Sequence, residues 1–146
     1  MSLSKTSIAD QLKTIQQEIC VALEAADGKE KFSVETWERP GGGGGLTRVI
    51  QHGAVIEKGG VNFSAVHGKL PANIVRALAV NSDDFFAAGV SIVMHPESPM
   101  VPIIHMNVRY FELSDGTCWF GGGIDLTPDY VDEADARWFH QQLKAT

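Results

Sequence analysis

Cysteine is scarce in this 146-residue chain: there are two, Cys20 and Cys118, far apart and outside any C-x-x-C spacing. That excludes a disulfide framework and a cysteine-based metal knuckle, and leaves two free thiols expected to be buried. Basic charge is also short, with 12 Lys and Arg against 18 Asp and Glu and a net charge of −6. Broad binding to nucleic acid or to an anionic membrane needs a basic face, so neither partner is expected. No apolar run approaches the roughly 20 residues that span a bilayer, so no integral membrane segment is expected. Met1 to Asp10 shows no apolar leader core and no arginine-rich presequence, which makes a cytoplasmic location the expectation.

Two nucleotide motifs are missing as well. Gly41 to Gly45 is followed by Leu46 and Thr47, not by the G-K-[ST] of a phosphate loop. Nor does a helix pattern follow it, as a dinucleotide fingerprint requires. No H-E-x-x-H or close histidine pair marks a metal site; His95, His105 and His140 could form one only by folding together.

What is present is period-two alternation. Phe32 to Arg39, Thr47 to Gln51, Ala54 to Glu57, Val61 to His67, Val90 to His95, Ile103 to Leu113 and Thr117 to Phe120 all read as strands. The first reads as half-buried. Gly41 to Gly45 is expected to be a loop, His52-Gly53 a turn, and Ser114-Asp115-Gly116 a hairpin turn. Ile8 to Ala26 has helical period, with Ile8, Leu12, Ile15, Ile19, Leu23 and Ala26 as the buried stripe, Ser7 with Asp10 as the cap and Gly28 as the stop. Leu70 to Val80 suggests a short helical crossover, and Asp129 to Leu143 a final helix. Many strands with short turns and few helices give the α+β class: an antiparallel sheet flanked by helices.

The longest strand is also the most informative. In Ile103 to Leu113, alternation places His105, Asn107 and Arg109 on one face and Ile104, Met106, Val108 and Tyr110 on the other, the natural core face. Same-face neighbours sit about 6.6 Å apart, so the polar row is about 13 Å long, the scale of a large ligand. Arginine offers a donor fork for carboxylate, asparagine a neutral donor and acceptor, and histidine a proton mobile near neutral pH. Alternation alone also fits, and fits better, a solvated face of an amphipathic strand. Ser91 and His95 share a face of Val90 to His95 in the same manner. Gly121-Gly122-Gly123-Ile124-Asp125 reads either as a surface where a flat ligand meets the backbone beside a carboxylate, or as a bulge with a capping Asp.

Several strings together resemble the oxygen-dependent coproporphyrinogen III oxidase family. They are Trp37-Glu38-Arg39 with the glycine run, Gly53 to Ser64, Val66-His67-Gly68, His105-Met106-Asn107-Val108-Arg109-Tyr110-Phe111, and Trp119 to Pro128. The resemblance runs from Phe32 to the C-terminus. It implies a haem-biosynthesis enzyme that oxidatively decarboxylates two propionates of coproporphyrinogen III. Molecular oxygen is its co-substrate, no cofactor is required, and the usual assembly is a homodimer. It implies His105 as proton donor, Asp125 as the partner of pyrrole N–H groups, and Ser91 with Asn107, Val108 and Arg109 as substrate contacts. Val108 could contribute only main-chain groups there. It also implies a divalent-metal role for His95 and His140 in some members. Family members are longer, and a further histidine and later arginines have no counterpart in these residues. Two other readings stand beside the oxidase: a non-catalytic tetrapyrrole-binding relative and a histidine-metal oxygenase on an unrelated sheet.

Overall fold

A computed structural model describes residues 4–80 and 82–146. In chain order the elements are α1 (Lys5–Asp27), β1 (Ser33–Glu38), β2 (Gly43–Gln51), β3 (Ile56–Lys69), α2 (Ala72–Leu78), β4 (Asp84–Pro96), β5 (Ile103–Leu113), β6 (Cys118–Thr127) and α3 (Glu133–Ala145). The strands make one six-stranded sheet in sequential order. Every neighbouring pair is antiparallel, as short turns between alternating strands require. The α+β expectation holds. Among the described residues no helix is long and apolar enough to cross a membrane.

Helix α1 begins one turn earlier than the sequence suggests. The Ser4 side chain, not that of Ser7, caps it by accepting the Ser7 N–H, and Gly28 ends it in the left-handed region as expected. Its buried face carries Ile8, Leu12, Gln16, Cys20 and Asp27, while Ile15 is exposed. A tertiary bond explains the rotation away from the expected stripe. Gln16 Nε2 donates to the Leu46 carbonyl at 2.8 Å and the Val61 carbonyl at 2.7 Å, turning position 16 inward in place of 15.

The helix end is fixed by Asp27. Its carboxylate accepts the main-chain N–H groups of Glu30, Val55 and Ile56 at 3.0, 2.9 and 2.9 Å. These donors, Glu30 first, hold its carboxyl well below the usual carboxylate range. Under α1 lie Ile50 of β2, Val61 and Phe63 of β3, and Ala88, Val90, Ile92 and Met94 of β4.

Several strand boundaries differ from expectation. The glycine run is not all loop: β2 starts at Gly43, which pairs with Val66 of β3, and the Trp37 indole packs 2.4 Å from where a Gly45 Cβ would be. Gly59-Gly60 does not divide two strands; β3 runs through it, with a bulge between Ile56 and Lys58. Residues 121–123 form no bulge either, since β6 continues to Thr127 in unbroken register with β5. α2 is not a crossover, because β3 and β4 are antiparallel neighbours and need none. α3 starts at Glu133 rather than 129, capped by Asp132. β1 is exposed along its length rather than half-buried, being an edge strand. Cys20 is buried as expected, but Cys118, on the opposite edge strand, is exposed.

Candidate functional site

β5 has the bounds that its alternation predicts, Ile103–Leu113. The back side of this strand is only partly core: Tyr110 is buried, whereas Val108 is exposed. α1 packs on β3 and β4 and leaves the outer strands bare on that side.

The front side gathers the polar residues of five strands by register. Thr47, Asn62, Ser91, Asn107 and Gly123 are successive cross-strand partners. The next row is Gly45, Ser64, Gly89, Arg109 and Gly121. The row on the other side ends in Val93, His105 and Asp125. Ser91, Asn107, Arg109, His105 and Asp125 therefore share one surface. Val108 belongs to the back by register, and meets the front only through main-chain atoms.

His105 and Asp125 are hydrogen-bonded cross-strand partners. His105 Nδ1 lies 2.9 Å from Asp125 Oδ1, and the Thr127 hydroxyl donates to the same oxygen at 3.1 Å. The network assigns Nδ1–H as donor to the carboxylate, which leaves His105 Nε2 as the ring atom without a partner among the described residues. Asp125 Oδ2 has no partner among the described residues and is open to an incoming N–H.

Two recesses flank Arg109. One, of about 530 Å³, is lined by Trp37, Thr47, Asn62, Ser64, Ser91 and Arg109 among others. The other, of about 440 Å³, has Asn107, Arg109, Phe111, Trp119 and Gly121 to Gly123. Phe111 stacks on Phe85 at 5.8 Å and on Trp119 at 4.7 Å between ring centres, closing one end of the surface with aromatic faces. A Cβ at Gly121 or Gly123 would meet nothing within 4 Å, so the fold itself does not require glycine at either position.

Thr47, Asn62, Ser64, Ser91, Asn107 and Arg109 make no side-chain hydrogen bond to another group among the described residues. Asn62, Ser91 and Arg109 are exposed and the other three half-buried, so water serves these groups and a ligand that replaces it breaks no bond of the fold. The β2 and β3 members and Trp37 were not singled out from sequence. Asn62 and Ser64 do alternate with Val61, Phe63 and Ala65, but only the sheet register brings them beside Ser91.

The chain matches the family model described as "Coproporphyrinogen III oxidase" over residues 7–146. The chain belongs to the coproporphyrinogen III oxidase family. It is similar to the oxygen-dependent coproporphyrinogen-III oxidase of Prochlorococcus marinus strain NATL2A, with 51% identity over 86% of this chain and 36% of that protein. It is also similar to the Drosophila melanogaster protein of that name, at 50% identity over 90% of this chain and 37% of that protein. The soybean (Glycine max) chloroplastic enzyme shares 47% identity over 91% of this chain and 38% of its own length. The chain thus spans about two fifths of the length of the curated relatives it matches, between 36% and 42%. All front-face residues named above lie inside the span matched to the coproporphyrinogen III oxidase family.

The metal positions implied by family resemblance do not converge. His95 lines a cleft with Glu57, Glu97 and Asp129, while His140 lines another with Asp125, Asp132 and Asp135 beside Ile124, Leu126 and Phe139. Among the described residues no group of three or more His, Cys, Asp or Glu is placed to hold a metal. The residues present do not fit such a centre, and no step is derived through one.

Proposed function

We propose that this front face binds coproporphyrinogen III for oxygen-dependent oxidative decarboxylation in porphyrin biosynthesis. The observation that carries the reading is Asp125. One carboxylate oxygen is taken by His105 and Thr127, and the other is open, at the end of an unpartnered polar surface. An electron-rich macrocycle with inward N–H groups and acidic arms matches that surface. Asp125 Oδ2 accepts pyrrole N–H groups, Arg109 anchors a carboxylate by paired charge-assisted bonds, and Ser91 and Asn107 add neutral donors. Arg109 meets a local negative charge although the whole chain is acidic, because charges more than about 10 Å apart are largely screened.

In the reaction each propionate loses carbon dioxide and one β-hydrogen, which leaves a vinyl group and releases two electrons and one proton. Two arms release four electrons, and one molecule of oxygen takes them up with four protons to give two waters. Two of those protons come from the arms and two from outside. His105 Nε2 is the chain's own group for moving a proton at this surface, a role often worth 10²–10⁴ in rate. The relatives' names carry the oxygen dependence. A homodimer belongs to the same reading, and the exposed back-side strip of Val108, Phe120 and Ile124 offers it an apolar surface.

The test is product analysis after incubation with coproporphyrinogen III in air. Protoporphyrinogen is the expected product, and Arg109→Ala is expected to abolish most of it. Substrate binding without any product would instead assign the tetrapyrrole-binding role alone. Failure to bind would remove both.

A further inference from the structure

Beyond the residues of β4 to β6, the Asn62 recess has chemistry of its own. Trp37 and Val66 give it apolar walls, Asn62, Ser64, Ser91 and Thr47 line it with polar side chains, and Arg109 bounds it on the β5 side, between this recess and the one over β6. The indole is held flat by Gly45, whose missing side chain it replaces. The Asn62 amide and the Ser64 hydroxyl carry donors with no partner among the described residues. An apolar wall beside unpartnered donors suits a ligand arm that begins with methylenes and ends in a carboxylate. A flat ring would use the wall and waste the donors, and a short anion would do the reverse.

The position fits as well. Asp125 lies on β6 and Asn62 on β3, three strand spacings apart. That is about 14 Å across the sheet. A macrocycle whose N–H groups sit at Asp125 carries its peripheral arms outward over β4 and β3. We propose that Asn62 and Ser64, walled by Trp37, form a subsite for a carboxylated arm of the substrate other than the one Arg109 anchors. The subsite sets specificity for the number of acidic arms. It rests on the substrate reading above.

Asn62 is exposed and Ser64 half-buried without bonds to the fold, so substitutions there leave folding intact, which a melting curve checks. The measurement is fluorescence titration of the purified protein with two stable porphyrins. One is coproporphyrin III, with four carboxylates; the other is mesoporphyrin IX, with two. Asn62→Leu removes the donor and is expected to weaken coproporphyrin binding about tenfold, while mesoporphyrin changes by less than about twofold. Asn62→Asp keeps the size, replaces the donor with a negative acceptor, and weakens coproporphyrin further. Arg109→Ala weakens both porphyrins. If Asn62→Leu and Asn62→Asp alter neither porphyrin, or both equally, the subsite assignment is overturned while the substrate reading stands. If the unsubstituted protein binds neither, the substrate reading fails and the subsite with it.

Discussion

The two faces of this sheet are built from the same strands and meet polar groups in opposite ways. On the back, under α1, polar side chains are few and mostly bonded: Gln16 donates to two strand carbonyls and Asp27 gathers main-chain N–H groups, while Gln16 Oε1 and Arg48 Nε stay buried without a partner among the described residues. On the front, six polar side chains from β2 to β5 have no partner among the described residues. Alternation explains why the faces differ in composition. It does not explain why the polar groups of one are largely bonded within the fold and those of the other are not. Folding recovers the cost of desolvating a polar group only when a partner is supplied. Where the fold supplies none, the groups stay wet until something else binds. The back face carries stability, and the front face is the one left open for the ligand proposed above.

The largest expected contrast lies between Ile50 and Asn107. Ile50 is completely buried beneath α1, and Ile50→Ala should cost about 2–5 kcal/mol through lost burial and an unfilled cavity. Asn107→Ala on the front should change stability by no more than about 0.5 kcal/mol and weaken porphyrin binding instead. Chemical denaturation and titration of both variants measure the two effects. A large loss of stability in Asn107→Ala would mean that the front row helps to hold the sheet together.

The sequence made one of these faces easier to read than the other. β5 was legible because eleven residues alternate and Ser114 to Gly116 close the strand, Gly116 having positive φ. Its polar face, and that of β4, followed from parity alone. The β3 contribution did not, because Gly59-Gly60 imitates a break and only the register aligns Asn62 with Ser91. The start of β2 was hidden for a similar reason: glycines read locally as a loop, yet Trp37 uses Gly45 as a packing surface from a neighbouring strand. On α1 the expected stripe holds at Ile8 and Leu12, and Ile19 and Leu23 pack against the core, but Gln16 replaces Ile15 and Asp27 replaces Ala26 inside, since nothing local favours Gln16 over Ile15. His95 and His140 carry ligand chemistry in sequence, but the fold sends them to different clefts.

Within β6 the same contrast recurs at adjacent residues. A Cβ on Gly122 would come within 2.3 Å of the Asn107 carbonyl oxygen, whereas one on Gly121 or Gly123 would meet nothing within 4 Å. Gly122→Ala should therefore destabilise by about 1–3 kcal/mol, the usual range for overpacking. Gly123→Ala should be neutral or stabilising by up to about 1 kcal/mol, because alanine loses less chain entropy in a strand than glycine. The Gly123 methyl group would stand in the recess beside Arg109, so porphyrin binding should weaken while the melting temperature holds. Unchanged binding in Gly123→Ala would place the ligand away from β6.

The finest contrast is a slope with pH, and it isolates the satisfied carboxylate of the back face. The folded-state pKa of Asp27 is depressed by main-chain N–H donors, so its contribution is complete above the unfolded value of about 3.9. It is lost as pH falls from there through the lower folded value. Asp27→Asn keeps one oxygen acceptor but turns an amide toward N–H groups, so it should be less stable than the unsubstituted chain at pH 7. Below about pH 4 the gap should narrow, because the unsubstituted chain then begins to lose its own carboxylate. Glu24, Asp83 and Asp115 also have lowered pKa values, but both proteins share them, and the difference between the two curves removes their effect. Denaturation of each protein from pH 7 to pH 3 gives that difference directly. A gap constant across the range would show that the Asp27 charge does not hold α1 to the β2–β3 turn. The back face would then owe its stability to apolar packing and the Gln16 bonds.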